Sequence, residues 1–385
     1  MSAVLEALAS FAARGVPLRG RRIAVVVPDA TRPLDPARAI APLLSLLDAR
    51  GARLSLTVAL GLHRPMRDEE LRPLAELAAR FAAPLFQHGA RDRARLIEAG
   101  EPIPAFEDGR GPPIPRIFAK EVAAADLIFV TGLVEPHQYA GFSGGAKAVA
   151  IGCAAAETIA GMHGLHYLVD PAMRIGEAEH NPFQRALGRL VAELPEIFAL
   201  QITPSGEAFA GPWAEAFAAA RRAAAAEMFE PVEGPLDWAI LEVPPPKAQS
   251  FYQASRAATY AALVDRPAVR RGGTLIVEAA CPEGIGEGEG EAACARAMSR
   301  GRDSLLAELR GGGSAGAISG GAQRAYVLAR ALEDYEIVLA GAREIPALAA
   351  MGIRQLDSPD RAGGLRLSGR GRRFRDPIQR IPRLS

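Results

Sequence analysis

The chain contains 385 residues, of which 49% are hydrophobic, and its formal net charge at pH 7 is +1. This length exceeds the usual size of a domain with a single hydrophobic core, so it predicts two domains. The balanced charge favours neither a nucleic-acid surface nor an acidic tail, and no apolar run reaches the roughly 18 residues of a membrane span. No signal-peptide pattern opens the chain, and three cysteines do not make a disulfide framework. We therefore expect a cytoplasmic protein.

Strands and helices alternate along most of the sequence. The predicted elements are a helix over 4–14, a strand over 22–27, a helix over 36–50, a strand over 53–60, a helix over 68–80, a helix over 120–125, a strand over 126–131, a helix over 182–194, a strand over 198–202, a helix over 213–229, a strand over 238–243, a helix over 249–263, a strand over 274–279 and a strand over 335–340. Such alternation is typical of parallel, doubly wound sheets.

A Pro, Gly and Glu cluster at 230–235 marks the predicted domain boundary. We predict an α/β fold of two domains, each with a mostly parallel doubly wound sheet flanked by helices. The N-terminal domain, 1–232, is expected to bind a cofactor, and the C-terminal domain, 236–365, is expected to contribute substrate contacts. The basic segment 366–385 is expected to pack back on the N-terminal domain or to stay mobile.

Polar motifs follow three of the predicted strands at their carboxyl ends. PDATRP follows the first strand, GLHRP the second, and the glycine-rich segment 135–163 the third. Because the carboxyl ends of parallel strands share one crevice, His63 and His137 are expected to approach the same site. A histidine exchanges a proton near neutral pH or binds a metal. One such histidine is more often structural, but two beyond neighbouring strand ends indicate a ligand site.

The PDATRP motif has two interpretations. Asp29 or Thr31 caps the region before the next helix. Alternatively, Arg32 faces an anion at the end of the strand and Asp29 orients it, since the planar guanidinium donates two parallel hydrogen bonds to a carboxylate or phosphate. The residues alone favour capping.

The glycine-rich segment contains a lysine in an unusual setting. Gly144 and Gly145 let the backbone approach a ligand closely. Lys147 follows them, but it is flanked by alanines, so the segment does not match a phosphate-binding P-loop. Without further information Lys147 would be interpreted as a surface amine.

Two motifs in the second half bear on ligand binding. Tyr252, Gln253 and Arg256 lie within one turn at the start of a predicted helix, where they form either a solvated face or an anion site favoured by the helix dipole. The run CPEGIGEG at 281–288 lacks the third glycine of a dinucleotide fingerprint. A conventional nicotinamide oxidoreductase is therefore not favoured.

Five motifs together resemble the family of lactate racemases that use a nickel-pincer nucleotide. They are PDATRP at 28–33, GLHRP at 61–65, EPHQYAGFSGGAK at 135–147 with His163 sixteen positions later, YQASR at 252–256 and CPEGIG at 281–286. The motifs occur in order between about residues 20 and 290, and no specific motif follows. The cofactor of that family is a nickel complex of pyridinium-3,5-bisthiocarboxylic acid mononucleotide.

The resemblance implies a role for each motif residue. Lys147 would carry the cofactor covalently and His163 would complete the nickel coordination, which suits a square-planar site of sulfur and imidazole. The other residues implied in cofactor binding are Asp29, Thr31, Arg32, Gly144 and Gly145. Proteins that synthesise the cofactor are the implied partners, with no nucleic acid and no membrane.

Racemisation of a 2-hydroxy acid fits this set of residues. Removing the C2 hydrogen as a proton would leave a carbanion beside a carboxylate, whereas removing it as hydride, while a base takes the hydroxyl proton, gives a neutral 2-keto acid. No side chain accepts a hydride, so a cofactor must do so. His63 and His137 are assigned as the pair that exchange acid and base roles on the two faces.

Substrate contacts are assigned to Tyr252, Gln253 and Arg256. Lactate-specific members of the family have a lysine where Arg256 stands, so the implied activity is that of a 2-hydroxy acid racemase or epimerase rather than of a lactate racemase. Two alternatives stay open. One is a zinc-dependent hydrolase with a histidine cluster; the other is a non-catalytic, cofactor-binding homologue.

Overall fold

A computed structural model describes residues 3–30, 34–311, 321–357 and 367–385. Within these ranges no helix has the length and apolar character that crossing a membrane requires. The three cysteines are buried thiols. The predicted site residues Thr31 and Arg32, and most of a glycine-rich loop predicted at 311–321, lie outside the described residues.

The structure divides into two compact units, and neither unit is continuous in sequence. Unit 1 consists of Met1–His137, Phe142–Met162 and Pro182–Ala226, and unit 2 consists of Gln138–Gly141, His163–Asn181 and Glu227–Ser385. The sequence prediction treated each domain as one continuous stretch. The chain instead enters unit 2 twice before it reaches the predicted boundary.

Most predicted helices and strands are present, with ends that differ by a few residues. In chain order, the elements up to residue 228 are α1 (Ala3–Ala13), β1 (Arg22–Pro28), α2 (Pro36–Ala49), β2 (Arg53–Ala59), α3 (Asp68–Arg80), β3 (Leu85–Gln87), β4 (Leu96–Glu98), β5 (Ile103–Pro104), β6 (Pro113–Ile114), β7 (Ile117–Ala119), α4 (Lys120–Ala123), β8 (Leu127–Leu133), β9 (Pro136–His137), β10 (Gly141–Phe142), α5 (Lys147–Ala150), α6 (Ala156–Met162), α7 (Leu165–Leu168), α8 (Pro182–Leu190), β11 (Ile197–Ile202), β12 (Ala208–Pro212) and α9 (Trp213–Met228). The remaining elements are β13 (Phe229–Val232), β14 (Leu236–Glu242), α10 (Phe251–Leu263), β15 (Val269–Glu278), α11 (Glu289–Met298), α12 (Arg302–Arg310), α13 (Gln323–Asp334), β16 (Glu336–Ala340), α14 (Ala347–Ala350), β17 (Arg354–Leu356), β18 (Gly371–Arg375) and β19 (Ile381–Leu384).

Unit 1 is built on a six-stranded sheet with the order β12-β11-β8-β1-β2-β3. All neighbouring pairs are parallel except β11 with β12. The chain runs from β1 to β2 and β3 on one side, and β8 and β11 lie on the other side of β1. The sheet is therefore doubly wound, and its winding reverses between β1 and β8.

The core of unit 1 contains an aromatic cluster at one face of this sheet. Phe11 of α1 meets Phe129 of β8 and Phe198 of β11, with ring centroids 5.1 Å apart in both edge-to-face contacts. Phe11 is 1% exposed and Phe129 is fully buried. Helix α1 is therefore held to the sheet by the burial of a large ring and by favourable ring geometry.

Unit 2 contains a second, fully parallel sheet with the order β17-β16-β15-β14-β18. Its central strands bury Ile276 and Val338 completely. With the first sheet, it confirms the predicted α/β class with parallel sheets flanked by helices.

The basic tail was expected to pack back on the N-terminal domain, 1–232, or to stay mobile, and in the structure it pairs with strands on both sides of the predicted boundary. The described part, 367–385, contributes β18, which pairs with β14, and β19, which pairs with β13. Phe374 and Ile381 supply apolar side chains that are 1% and 0% exposed. These two side chains fix the tail in unit 2, while Arg383 pairs with Asp265 and lies over the Phe229 ring.

The sequence prediction also missed the three helices α11, α12 and α13. They lie in the glycine-rich stretch between β15 and β16. The frequent glycines there interrupt the helical periodicity of the sequence and favour a loop interpretation. Helix α11 nevertheless has Glu289 and Glu291 in its first turn and Arg296 in its last. That charge order matches the helix dipole and would have revealed the helix.

Replacing the buried ring of α1 should destabilise unit 1. We expect Phe11→Ala to lower the free energy of unfolding by about 3 kcal/mol, because it leaves a cavity beside Phe129 and Phe198. Leu5→Ala in the same helix is the control, since Leu5 is 43% exposed and should cost about 0.5 kcal/mol or less. Urea unfolding followed by circular dichroism measures both. Equal effects of the two substitutions would show that α1 does not depend on this cluster.

Candidate active site

Three neighbouring strands end at the same edge of the unit 1 sheet. Pro28 of β1 is in register with Ala59 of β2, and Val26 of β1 pairs with Val130 of β8. Because the three strands are parallel, their carboxyl ends point the same way. The segments that follow them carry Asp29, His63 and His137, so the sheet brings three predicted site residues to one edge. Open α/β sheets bind ligands at this edge, where the winding reverses.

A buried carboxylate orients one of the two histidines. Asp29 Oδ2 lies 2.5 Å from His63 Nδ1; the Asp29 side chain is 7% exposed and that of His63 is 61% exposed. The carboxylate accepts a hydrogen bond from Nδ1–H, which leaves Nε2 as the basic nitrogen on the exposed side of the ring. The sequence analysis predicted that Asp29 either orients Arg32 or caps the region before the next helix. Its pairing with His63 joins two motifs that lie 34 residues apart.

The loop that carries His63 is tied to the glycine-rich segment. The backbone N–H of Gly61 donates to the carbonyl of Gly152 at 3.0 Å, and the N–H of His63 donates to the carbonyl of Leu60 at 2.9 Å. Leu60 is 2% exposed and anchors the strand end in the core. His63 therefore projects from a short, braced turn.

The turn after β8 is fixed by a serine. Ser143 Oγ donates to the carbonyl of Leu133 and accepts from the N–H of Glu135, both at 3.0 Å. The N–H of Ser143 also donates to the carbonyl of Glu135 at 2.7 Å. The two ends of the turn that contains half-buried His137 are thereby held together. Ser143 was not among the predicted site residues.

The two glycines before Lys147 are required by packing within the protein. Gly144 and Gly145 have φ angles of +103° and +55°. A Cβ on Gly144 would lie 2.4 Å from Gln201 Oε1, and the N–H of Gly145 donates to that same oxygen at 2.8 Å. Gln201 is 1% exposed. It is the single polar side chain in the apolar strand IFALQI, a signal that sequence reasoning missed.

Lys147 begins the short helix α5. Its side chain is half-buried, and the neighbouring Val149 and Ala150 are fully buried. Helix α5 packs against β1 and β8, the two strands between which the winding reverses. The predicted attachment lysine therefore starts from an element seated on the strands that carry Asp29 and His137.

The predicted metal ligand His163 lies in unit 2 beside a buried tyrosine. The His163 ring is half-buried and its centroid is 5.3 Å from that of Tyr139, with the planes tilted by 56°. Tyr139 is 1% exposed, and burial raises the pKa of its hydroxyl above the usual value. The side chain of Asn181 donates to the Tyr139 carbonyl at 2.8 Å. These contacts hold the tyrosine on which His163 rests.

His166 has a different environment from His163. Burial lowers the pKa of His166 to about 4, so its ring is neutral at physiological pH. The ring lies 4.4 Å from that of Tyr167, centroid to centroid. Across the described ranges there is no group of three or more His, Cys, Asp or Glu side chains arranged to hold a metal ion.

The predicted substrate residues begin helix α10 of unit 2. Tyr252, Gln253 and Arg256 are half-buried, and the residues between Gln253 and Arg256 are buried. The three side chains thus come from the first turns of a helix that packs against α13 and β15.

The amino end of α10 is closed by the CPEGIG motif. The N–H groups of Phe251 and Tyr252 donate to the carbonyls of Gly284 and Ile285 at 2.8 and 3.1 Å. Ser250 caps the next position by accepting from the Gln253 N–H at 3.4 Å. These N–H groups are not available to an anion, because carbonyl and hydroxyl oxygens of the protein already accept from them. Any anion must be held by side chains.

The comparisons with known proteins agree with these motifs. Residues 2–176 match the model of the lactate racemase N-terminal domain. That range contains Asp29, His63, His137, Lys147 and His163.

The N-terminal part of the chain, residues 2–176, belongs to the family of lactate racemase N-terminal domains.

Two curated relatives extend the likeness beyond the N-terminal domain. The lactate racemase of Thermoanaerobacterium thermosaccharolyticum is 26% identical over 347 residues, which cover 83% of this chain and 73% of the relative. The lactate racemase of Lactiplantibacillus plantarum is 28% identical over 281 residues, covering 71% of this chain and 63% of the relative. The match thus spans less than two thirds of the length of the second relative.

Solved structures confirm the fold. The lactate racemase apoprotein from T. thermosaccharolyticum superposes with a TM-score of 0.82 at 22% identity, covering 100% of this chain and 93% of that one. A protein from Thermotoga maritima gives a TM-score of 0.70 at 18% identity, covering 99% and 97%. At these identities the likeness establishes the architecture alone.

The requirement for glycine beside Lys147 can be tested by adding one methyl group. We expect Gly144→Ala to lower the free energy of unfolding by about 2–3 kcal/mol, because a positive φ is strained for alanine and the methyl group would displace Gln201. Gly132→Ala in β8 is the control, since a Cβ there meets nothing within 4 Å. Thermal melting compares the variants. If both melt alike, Gln201 does not constrain this turn.

A buried histidine of unit 1 should make stability depend on pH. His88 is 5% exposed, its Nε2 donates to the Ala154 carbonyl at 2.9 Å, and burial lowers its pKa. The unfolded chain protonates this ring near pH 6.5, before the folded chain does. His88 therefore costs stability as the pH falls below about 6.5 towards its lowered folded value.

We expect the loss of stability between pH 7 and pH 5 to be smaller in His88→Gln than in the wild type. Urea unfolding at the two pH values measures it. His180→Gln is the control, because the His180 side chain is 70% exposed. An unchanged difference in the His88 variant would show that this ring does not contribute.

Proposed function

We propose that this protein is an isomerase that racemises or epimerises a 2-hydroxy acid through a 2-keto acid. The observation that carries the proposal is the Asp29–His63 pair at the sheet edge that also carries His137. The match of residues 2–176 to the lactate racemase N-terminal domain supports the reaction class, and so do two curated relatives named lactate racemase.

The cofactor proposed is the nickel-pincer nucleotide. The donor set fits it: Lys147 offers an amine for covalent attachment, and half-buried His163 offers an imidazole, which suits nickel beside sulfur ligands. When bound, this group supplies an acceptor for the hydride that leaves C2. Thr31, Arg32 and Asp29 are proposed to contribute to its binding, and its synthesis requires partner proteins.

His63 is proposed to take and return the hydroxyl proton of the substrate. The Asp29 carboxylate holds the Nδ1–H tautomer, so that Nε2 is the base, and it stabilises the imidazolium that forms. Because Asp29 is buried and His63 is exposed, the pair orients the ring without blocking its outer nitrogen. His137 is proposed to do the same for the opposite enantiomer, from the end of β8.

The substrate carboxylate is proposed to bind Gln253 and Arg256. Arg256 donates two parallel hydrogen bonds to a carboxylate, where the lysine of lactate-specific relatives would act as a point charge. Since the N–H groups at the start of α10 are occupied, recognition falls to these side chains.

A deuterium label at C2 tests the type of reaction. Enzyme that carries an adduct on Lys147, verified by intact mass, should convert one enantiomer of a 2-hydroxy acid into the other with the C2 deuterium retained in ordinary water. A hydride keeps its label, whereas a proton taken by a base exchanges with solvent. Loss of deuterium to solvent, or turnover by protein without the adduct, would overturn the mechanism.

Substitutions at the two histidines test the roles of the bases. His63→Gln and His137→Gln should each lower kcat by about 10²-fold or more while the Lys147 adduct persists. Asp29→Asn should lower kcat by about 10-fold or more with little change in KM, because it orients the base and does not bind substrate. Chiral chromatography of the products measures the rates. Full activity of either histidine variant would remove that residue from the proposal.

A further inference from the structure

Besides Arg256, unit 2 contains a buried arginine that pairs with no carboxylate of the described residues. Arg324, in α13, is 5% exposed, and its Nε and Nη1 have no hydrogen-bond partner among the described residues. Its guanidinium carbon lies 5.2 Å from the centre of the Tyr252 ring. Arg324 therefore reaches one of the predicted substrate residues, although no sequence motif contains it.

Arg256 also has a guanidinium nitrogen without a hydrogen-bond partner. It lies one turn after Tyr252 on α10, and its Nε is buried with no partner in the described part of the chain. The two arginines are close enough to repel each other: burial first, and the charge of Arg256 second, lower the pKa of Arg324. Two guanidinium groups thus share one region without a described carboxylate bound to either.

Another arginine on the same helix has acceptors within the protein. Arg330 is half-buried, and it donates to the carbonyls of Met173 at 3.1 Å and Asp170 at 3.2 Å. A buried charge without such partners costs several kcal/mol. Arg324 is more deeply buried than Arg330 and has two nitrogens without an acceptor, which points to a ligand that supplies the acceptors.

The arginine pair lies near the predicted metal ligand. Tyr139, whose ring packs on His163, is within electrostatic reach of Arg324. Tyr252, Arg256, Arg324 and Tyr139 all belong to unit 2. Arg324 therefore belongs to the same unit as the group proposed to hold nickel and acts electrostatically on the tyrosine beside it.

We propose that Arg324 binds a second acidic group of the substrate, beside the carboxylate that Arg256 holds, so that the substrate is a 2-hydroxydicarboxylic acid. A monocarboxylate such as lactate would neutralise one of two positive charges, those of buried Arg324 and half-buried Arg256, whereas a dicarboxylate neutralises both. The two rigid guanidinium forks suit two carboxylates, each bound by parallel hydrogen bonds. This inference rests on the proposed function and narrows its substrate class.

Substrate preference tests the inference. We expect the adduct-bearing wild type to show a kcat/KM for 2-hydroxysuccinate about 100-fold above that for lactate, because unpaired buried groups penalise the substrate that lacks the second carboxylate. Arg324→Met should lower kcat/KM for 2-hydroxysuccinate by about 100-fold and change that for lactate by less than about 5-fold. Arg324→Lys should keep part of the preference. Arg330→Met is the matched control and should leave the preference unchanged.

Calorimetry on the full chain without cofactor gives a second readout. The wild type should bind 2-hydroxysuccinate more tightly than lactate, and Arg324→Met should bind the two acids equally. Equal affinities in the wild type would overturn the inference. Loss of the Lys147 adduct in Arg324→Met would overturn it too, because the arginine would then serve the cofactor phosphate.

The failures of the two proposals are distinguishable. If the adduct-bearing wild type racemises lactate but not 2-hydroxysuccinate, the dicarboxylate inference fails and the proposed function stands. If it racemises neither acid, and binding does not differ between them, both fail. A fall in turnover of both acids by the same factor in Arg324→Met and Arg324→Lys assigns Arg324 a structural role and overturns the inference.

Discussion

The parallel register of β2, β1 and β8 is the constraint on which the site depends. It brings the ends of three strands to one edge, and this is why Asp29 and His63 can lie within 2.5 Å of each other although 34 residues separate them. A shift of one residue in either pairing would turn the alternating side chains to the opposite faces. The apolar residues of β1, all buried from Ile23 to Val27, oppose such a shift. The core that stabilises the sheet therefore also fixes the geometry of the Asp29–His63 pair.

Local patterns predicted most of the fold because strands and helices record their periodicity in sequence. The strand Arg22–Val27 and the helix Asp68–Arg80 have the bounds, or nearly the bounds, that hydrophobicity and charge indicate. The Asp29–His63 pair was not predicted, since it depends on strand order and register. Gln201 and Arg324 were missed for the same reason: each acts on a segment far away in the chain, and neither belongs to a motif.

The CPEGIG motif shows how one segment can be mistaken for another kind of site. Its glycines resemble part of a nucleotide fingerprint, yet its carbonyls at Gly284 and Ile285 close the amino end of α10. Closing that end removes backbone donors from competition for an anion. Any anion at this end of α10 then depends on side chains such as Arg256, which substitution can change without altering the helix. A family with such an arrangement can vary its substrate while it keeps the scaffold.

The path of the chain between the two units limits how the protein can be divided. Residues 163–181 belong to unit 2, where Ile175 forms a bridge with Val264 and the carbonyls of Asp170 and Met173 accept from Arg330. An excised fragment that begins at residue 227 would lack all of these acceptors and would bury a guanidinium with nothing to bind. A split of the chain at the apparent linker would therefore separate residues 163–181 from the rest of unit 2, to which they are hydrogen-bonded. Because segments of unit 2 lie between segments of unit 1 in the sequence, neither unit can be produced as one continuous fragment.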